Sequence, residues 1–257
     1  SEAWEMLDEE AKRILTENLT GRRVVDFSGP HGWELGAVNL GRLSVEVKKA
    51  GATIPWGIRE VQPLVEIRAP FSLQQIELDS VSRGAQDADL DPLQAVVGQA
   101  ALFEDTAIFQ GFDAGKITGM AKASAHKPLK LPKDGNGYPA VVSAALKAMS
   151  AEDIGGPYAL VLGPDAYFTL REAFQPGYPP QKVVEDMLAG PVLKSEAVNG
   201  GLVLSTRGGD FELTVGKDFS LGYASHDREA VEFFVTESFT FRVLEPRAVV
   251  ALNPPAK

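Results

Sequence analysis

The sequence predicts an α+β fold, and three observations carry that prediction. Two long stretches have helical apolar spacing, two strand-like runs flank a charged turn, and several short strands crowd the end of the chain. With 257 residues, 44% of them hydrophobic, the chain is long enough to bury a sizeable core. Its longest apolar runs, such as Pro157–Leu162 and Ala248–Leu252, fall far short of the roughly 20 residues that cross a bilayer.

The first helix is written in Trp4, Leu7, Ala11, Ile14, Leu15 and Leu19, whose spacings of three and four place them on one face. Glu2, Glu5, Asp8, Glu9 and Glu10 precede Lys12 and Arg13, as the helix dipole favours, and Gly21 is a natural stop. A short strand is expected over Arg22–Phe27, then a turn-rich stretch to Trp33. The runs Ala37–Val47 and Trp56–Arg68, joined by Lys48–Ala52, read as a long hairpin with little core of its own, which must pack on a neighbour. A short helix is expected over Leu73–Val81, capped by Ser72 and closed near Gly84.

Asp91 as N-cap and Pro92 in the first turn open the clearest helix, with Leu93, Val96, Val97, Ala100, Ile108 and Phe109 as its apolar face and an end near Gly111. After a Pro/Gly/Lys-rich connector, Lys127–Gly137, the order is helix (Tyr138–Met149), strand (Tyr158–Leu162), helix (Pro164–Phe174), loop, helix (Gln181–Ala189). Strands are expected at Leu202–Ser205, Phe211–Val215, Val231–Val235, Phe239–Val243 and Ala248–Leu252.

A net charge of −10 with no basic arm argues against wrapping DNA or RNA, which takes Lys and Arg to displace phosphate counterions. Zero cysteines remove disulfides, thiolate metal sites and a Cys nucleophile. No basic, apolar secretory leader is visible, so a cytoplasmic location is expected, with a short piece expected before Ser1. His31, His126 and His226 stand without metal-ligand spacing, and no G-x-S-x-G elbow or complete phosphate loop occurs. Glu104-Asp105 and Glu77/Asp79 are imaginable acid/base pairs, but carboxylates at this density more often form solvated faces or subunit contacts. Gly208-Gly209 inside Arg207–Phe211 marks a tight turn or a close backbone approach.

Several stretches in order resemble the encapsulins, the linocin-like bacteriocin family: Gly21–Phe27, Gly29–Trp33, Pro63–Arg68, Glu77–Asp79 with Arg83-Gly84, and Glu104–Phe109. The match continues through Gly156–Leu160, Gly177–Pro179, Arg207–Phe211, Leu221–Tyr223 and Glu237–Val243. The resemblance implies the HK97-like fold of tailed-phage capsid proteins. Residues 1–35 would be the N-terminal helix and start of a peripheral domain, 36–68 an extended loop, 69–133 the peripheral domain with its spine helix, 134–213 the axial domain, and 214–257 the last peripheral strands.

It also implies a shell subunit, not an enzyme, that assembles with itself into an icosahedral cage, expected in the smallest form. The cage would enclose a dye-decolourising peroxidase or a ferritin-like protein through the cargo's C-terminal peptide, with no nucleic acid or membrane as partner. By resemblance the peptide pocket takes Leu15, Arg22, Asp26, Phe219 and Leu221. Apolar side chains would accept an anchor, while Arg22 and Asp26 would hold backbone or ends, unless they form a structural ion pair. The fivefold pore loop takes Glu172, Ala173, Phe174, Gln175, Pro176, Gly177, Tyr178, Pro179 and Pro180. Some members bind a flavin through a tryptophan where this chain has Ile76, so no cofactor is expected, although Arg68 is retained. The competing readings are a phage-type capsid protein that packages nucleic acid and, more remotely, a hydrolase.

Overall fold

The computed structural model describes residues 2–45, 54, 56–174 and 177–255. Helix α1 (Glu2–Asn18) follows its apolar periodicity and leads through a 3-10 turn at Gly21–Arg23 into strand β1 (Asp26–Ser28). The strand expected over Arg22–Phe27 is thus shorter and later, because Arg22 is held in the turn. Strands β2 (Ala37–Val45) and β3 (Gly57–Pro63) pair as an antiparallel two-stranded ribbon; its turn lies outside the described residues. The run expected to continue to Arg68 breaks at Leu64, and β4 (Val65–Gln74) joins a different sheet.

Helix α2 (Gln75–Ser82) starts later than expected, because Ser72 and Leu73 pair with Glu232 and Val231 as the end of β4. Helix α3 (Asp91–Phe109) has Leu90, not the expected Asp91, at its N-cap position with no side-chain cap, and the Asp89 carboxylate just before it accepts the Asp91 N–H at 3.0 Å. The short elements β5 (Gly111–Phe112), β6 (Ile117–Thr118), α4 (Met120–Ala123) and β7 (Leu129–Lys130) follow. Then come α5 (Tyr138–Ser150), β8 (Tyr158–Leu162), α6 (Pro164–Glu172), α7 (Pro180–Leu188) and β9 (Val192–Lys194). The chain continues with β10 (Gly201–Ser205), β11 (Phe211–Val215), β12 (Ser220–His226), β13 (Ala230–Val243) and β14 (Val249–Asn253).

Two five-stranded sheets organise these elements. In the first, the long β13 pairs along one edge with β4 and along the other with β12 and then β11, which carries β1 in parallel. The two strands expected near Val231 and Phe239 are therefore one strand, and β12 is an element the sequence reading lacked. The second sheet runs β7-β14-β10-β8-β9, beside helices α5, α6 and α7. Two strands cross the expected segment limits. Phe211–Val215 belongs to the first sheet and Val249–Asn253 to the second, because their ladders are with β13 and β10.

Helices α1 and α3 lie side by side on one face of the first sheet, where Leu7, Ala11 and Ile14 meet Leu93 and Val97, with Phe71 and Phe233 beneath. Burying apolar side chains of this size stabilises by roughly 1.5–3 kcal/mol each. The β2–β3 ribbon buries little: Leu43, Ile58 and Val61 are exposed on it, with Trp56 just before. Apolar surface presented this way marks an interaction face.

Candidate functional site

The site begins where α1 ends. Asp105 on α3 accepts the N–H groups of Thr20 (3.1 Å) and Gly21 (2.8 Å) and the Ser195 hydroxyl (3.0 Å), tying that turn to the body. Gly21 fits closely there: a Cβ would lie 2.6 Å from Ile108 Cδ1 and 3.0 Å from an Asp105 oxygen, so a larger residue would have to displace those side chains. Burial pushes the Asp105 carboxyl up to about 7, against the hydrogen bonds from Gly21, Ser195 and Thr20, while neighbouring Glu104 pushes the same way as burial.

This turn delivers Arg22 into a cage of carboxylates. Its guanidinium donates to Glu104 through Nε (2.9 Å) and Nη2 (2.7 Å), to Glu237 (2.7 Å) and to Asp218 (2.9 Å). The Phe27 and Phe219 rings lie 5.1 and 5.2 Å from its centre. Burial works against its charge, but Glu104, Glu237 and Asp218 together hold its pKa above the ordinary arginine value. Glu104 and Glu237 are fully buried. Burial, and then the charge and hydrogen bond of Glu104, hold Glu237 far above the usual carboxylate range.

Beside this cage a groove of about 500 Å³ opens between α1 and the start of β12. Leu15 and Leu19 form one wall, Phe219 and Leu221 the other, with Val97 and Val235 between them and Asp8, Lys12 and Arg23 at the rim. The apolar wall exists because the strand opposite β13 is interrupted. Between β11 and β12, Gly216–Phe219 loops out while Ser238 bonds to Lys217 in both directions, which presents Asp218 and Phe219 towards Arg22.

Of the expected pocket residues, Leu15, Arg22, Phe219 and Leu221 come together, and Asp26 does not. Asp26 lines a separate hollow of about 110 Å³ and accepts the Gly209 N–H at 2.6 Å. The alternative considered for these two residues, an Arg22–Asp26 ion pair, does not form, since Arg22 faces Glu104, Glu237 and Asp218 instead. Asp218, Glu237 and Lys12 were missed as members of the site. The Glu237-Ser238 signature was visible, but nothing local in it points to an arginine 215 residues away.

The carboxylates considered for acid/base work have structural partners: Glu104 holds Arg22, Glu77 accepts the Asp89 N–H at 3.1 Å, and Asp79 accepts from Gln75 at 2.9 Å. Gly208 and Gly209 have φ of 87° and 81°, as a tight turn requires, and Arg207 bridges it to Asp210 at 2.9 Å. Ile76 is exposed on α2, and Arg68 stacks 3.6 Å above the Phe234 ring. The expected pore loop joins α6 to α7. Phe174 and Tyr178 are exposed on it, the Tyr178 hydroxyl donates to Asp186, and Gln175 and Pro176 lie outside the described residues. Among the described residues no cluster of His, Asp and Glu could hold a metal, and no helix is long and apolar enough to cross a membrane.

The architecture is that of the HK97-type capsid proteins. The structure superposes on the virus-like particle from Pyrococcus furiosus with a TM-score of 0.70 at 14% identity, covering 96% of this chain and 98% of that one. The Mycobacterium phage Bobi chain superposes with a TM-score of 0.60 at 14% identity over 93% of this chain and 91% of that one. At such identities the likeness defines the fold alone. The family model Linocin_M18, described as encapsulating protein for peroxidase, matches residues 1–240. The chain is 45% identical to the type 1 encapsulin shell protein of Rhodospirillum rubrum, over 98% of this chain and 92% of the relative. It is 38% identical to that of Mycobacterium tuberculosis, over 98% and 94%. The chain belongs to the encapsulin shell protein family, whose members build multi-subunit cages.

Proposed function

We propose that this chain forms a cytoplasmic icosahedral shell around a cargo enzyme, and that the groove between α1 and β12 holds a C-terminal peptide of that enzyme. The observation that carries this reading is the apolar wall Leu15–Phe219–Leu221 beside an amphipathic helix that leaves the wall uncovered, in a chain of a shell-forming family. Extended peptides lodge in such clefts through apolar anchors. Arg22 takes a different part from the one its resemblance implied. With four of its five N–H donors on three carboxylates, it braces Phe219 rather than gripping the peptide. Lys12 and Arg23 line the same groove and form no ion pair among the described residues, so they suit the carboxylate of a chain end. The family description favours a peroxidase as cargo over a ferritin-like protein. The loop from Glu172 to Pro180 is assigned by the same reading to the fivefold pore.

The test is to purify shells from the native host with the wild-type sequence and with Leu15→Asp and Leu221→Asp. Closed shells from which the co-purifying enzyme has disappeared are expected of both variants. Closed variant shells that keep their enzyme would remove the groove from the account.

A further inference from the structure

One wall of the groove is a strand with an open edge. β12 pairs with β13 on one side only, and among the described residues no strand lies along its other side. An unpaired edge presents a row of N–H and C=O groups at strand spacing, which is a template for another strand. The groove reaches this edge at Phe219, Ser220 and Leu221.

We infer that the cargo tail is bound by strand addition to the outer edge of β12, so that its backbone is recognised along with its side chains. This rests on the cargo reading above. Leu221 stands opposite Val235 in the ladder, and both line the groove, so this face of the sheet looks towards α1. Side chains of an added strand alternate between faces. Every second side chain of the tail therefore falls between the sheet and α1, onto Leu15 and Leu19. The others lie on the opposite face, where Gly222 has no side chain and the Phe234 ring sits so close that a Cβ would be 2.1 Å from it.

The edge also limits what it accepts. The ladder with β13 shifts register between Tyr223 and Ser225, and the chain loops out before Ser220. The regular stretch is Ser220–Tyr223, which suits a short segment rather than a long strand. Lys12 and Arg23 on the same groove favour a segment that ends in a free carboxylate. A chain end in extended form meets all three demands: a backbone for the edge, alternate apolar side chains for the groove, and a carboxylate for the cations.

The probe is a synthetic peptide carrying the C-terminal segment of the enzyme that co-purifies with native shells, together with a series N-methylated at one backbone nitrogen at a time. Binding to empty assembled shells is measured by calorimetry, and amide exchange over 220–226 is followed with and without the unmodified peptide. Strand addition predicts that N-methylation weakens binding by about tenfold or more at every second position and much less between them. It also predicts that the amides of 220–223 that face away from β13, every second one, gain protection on binding. A peptide that binds without that alternation overturns the inference and leaves the cargo reading standing. Outward-facing amides already protected in the empty shell place a neighbouring subunit on the edge and overturn the inference as well. An unmodified peptide that does not bind at all removes the cargo reading and this one with it.

Discussion

Arg22 and Glu237, 215 residues apart in the chain, meet at 2.7 Å in the wall of the groove, with Glu104 on the same guanidinium nitrogen. The contact joins the turn after α1 to β13 and α3, so it sets the position of the helix that flanks the groove. Removing one partner of a buried pair strands the other's charge at a cost of about 3–5 kcal/mol. Arg22→Ala is expected to destabilise the subunit by that amount in urea unfolding. Glu237→Gln is expected to cost less than about 1 kcal/mol. Burial and the charge of Glu104 hold the Glu237 carboxyl far above the usual carboxylate range, and its Oε2 has no hydrogen-bond partner among the described residues. Equal losses in the two variants would contradict a Glu237 carboxyl held far above the usual carboxylate range.

Asp105 makes stability depend on pH. Its carboxyl ionises at about 7 in the folded chain against 3.8 ordinarily, so between those values the folded state holds a proton that the unfolded chain has released. Stability therefore falls as pH rises through that window and levels off above it, by at most about 4 kcal/mol. Glu237 acts in the same direction. Asp105→Asn removes one of the two contributions and should reduce the loss of unfolding free energy between about pH 5 and pH 8. An unchanged slope would show that Asp105 is ionised throughout.

The β2–β3 ribbon presents Leu43 and Ile58, both more than half exposed, to whatever packs on it. In a cage of identical subunits that surface is expected to pack on another copy. Ile58→Asp is expected to leave the circular dichroism of the subunit unchanged while shifting size exclusion from large particles to small species. Assembly unaffected by the charge would take the ribbon out of the contact.

The elements legible in the sequence were those whose own side chains set their period. Trp4 to Leu19 and Leu93 to Phe109 each carry one buried face, and α1 and α3 follow it closely. Elements defined by pairing were harder to read. Nothing in the run from Trp56 to Arg68 marks Leu64 as the point where the chain changes sheets, because both halves have strand character. Ser220–His226 is a polar edge strand with a central glycine, and only its ladder with β13 makes it a strand. The site divides in the same way. Leu15, Phe219 and Leu221 could be named from a family likeness, but the partners of Arg22 lie 82 to 215 residues distant and only the fold assembles them. Asp26 was assigned to the groove by the same family likeness, and the fold turns it onto the Gly208-Gly209 turn instead.

Electron cryomicroscopy of shells purified together with their enzyme tests the central claim most directly. The account predicts closed icosahedral particles with additional extended density between α1 and β12, on the wall formed by Leu15, Phe219 and Leu221. Closed particles that hold the enzyme while this groove is empty and density lies elsewhere on the inner wall would contradict it.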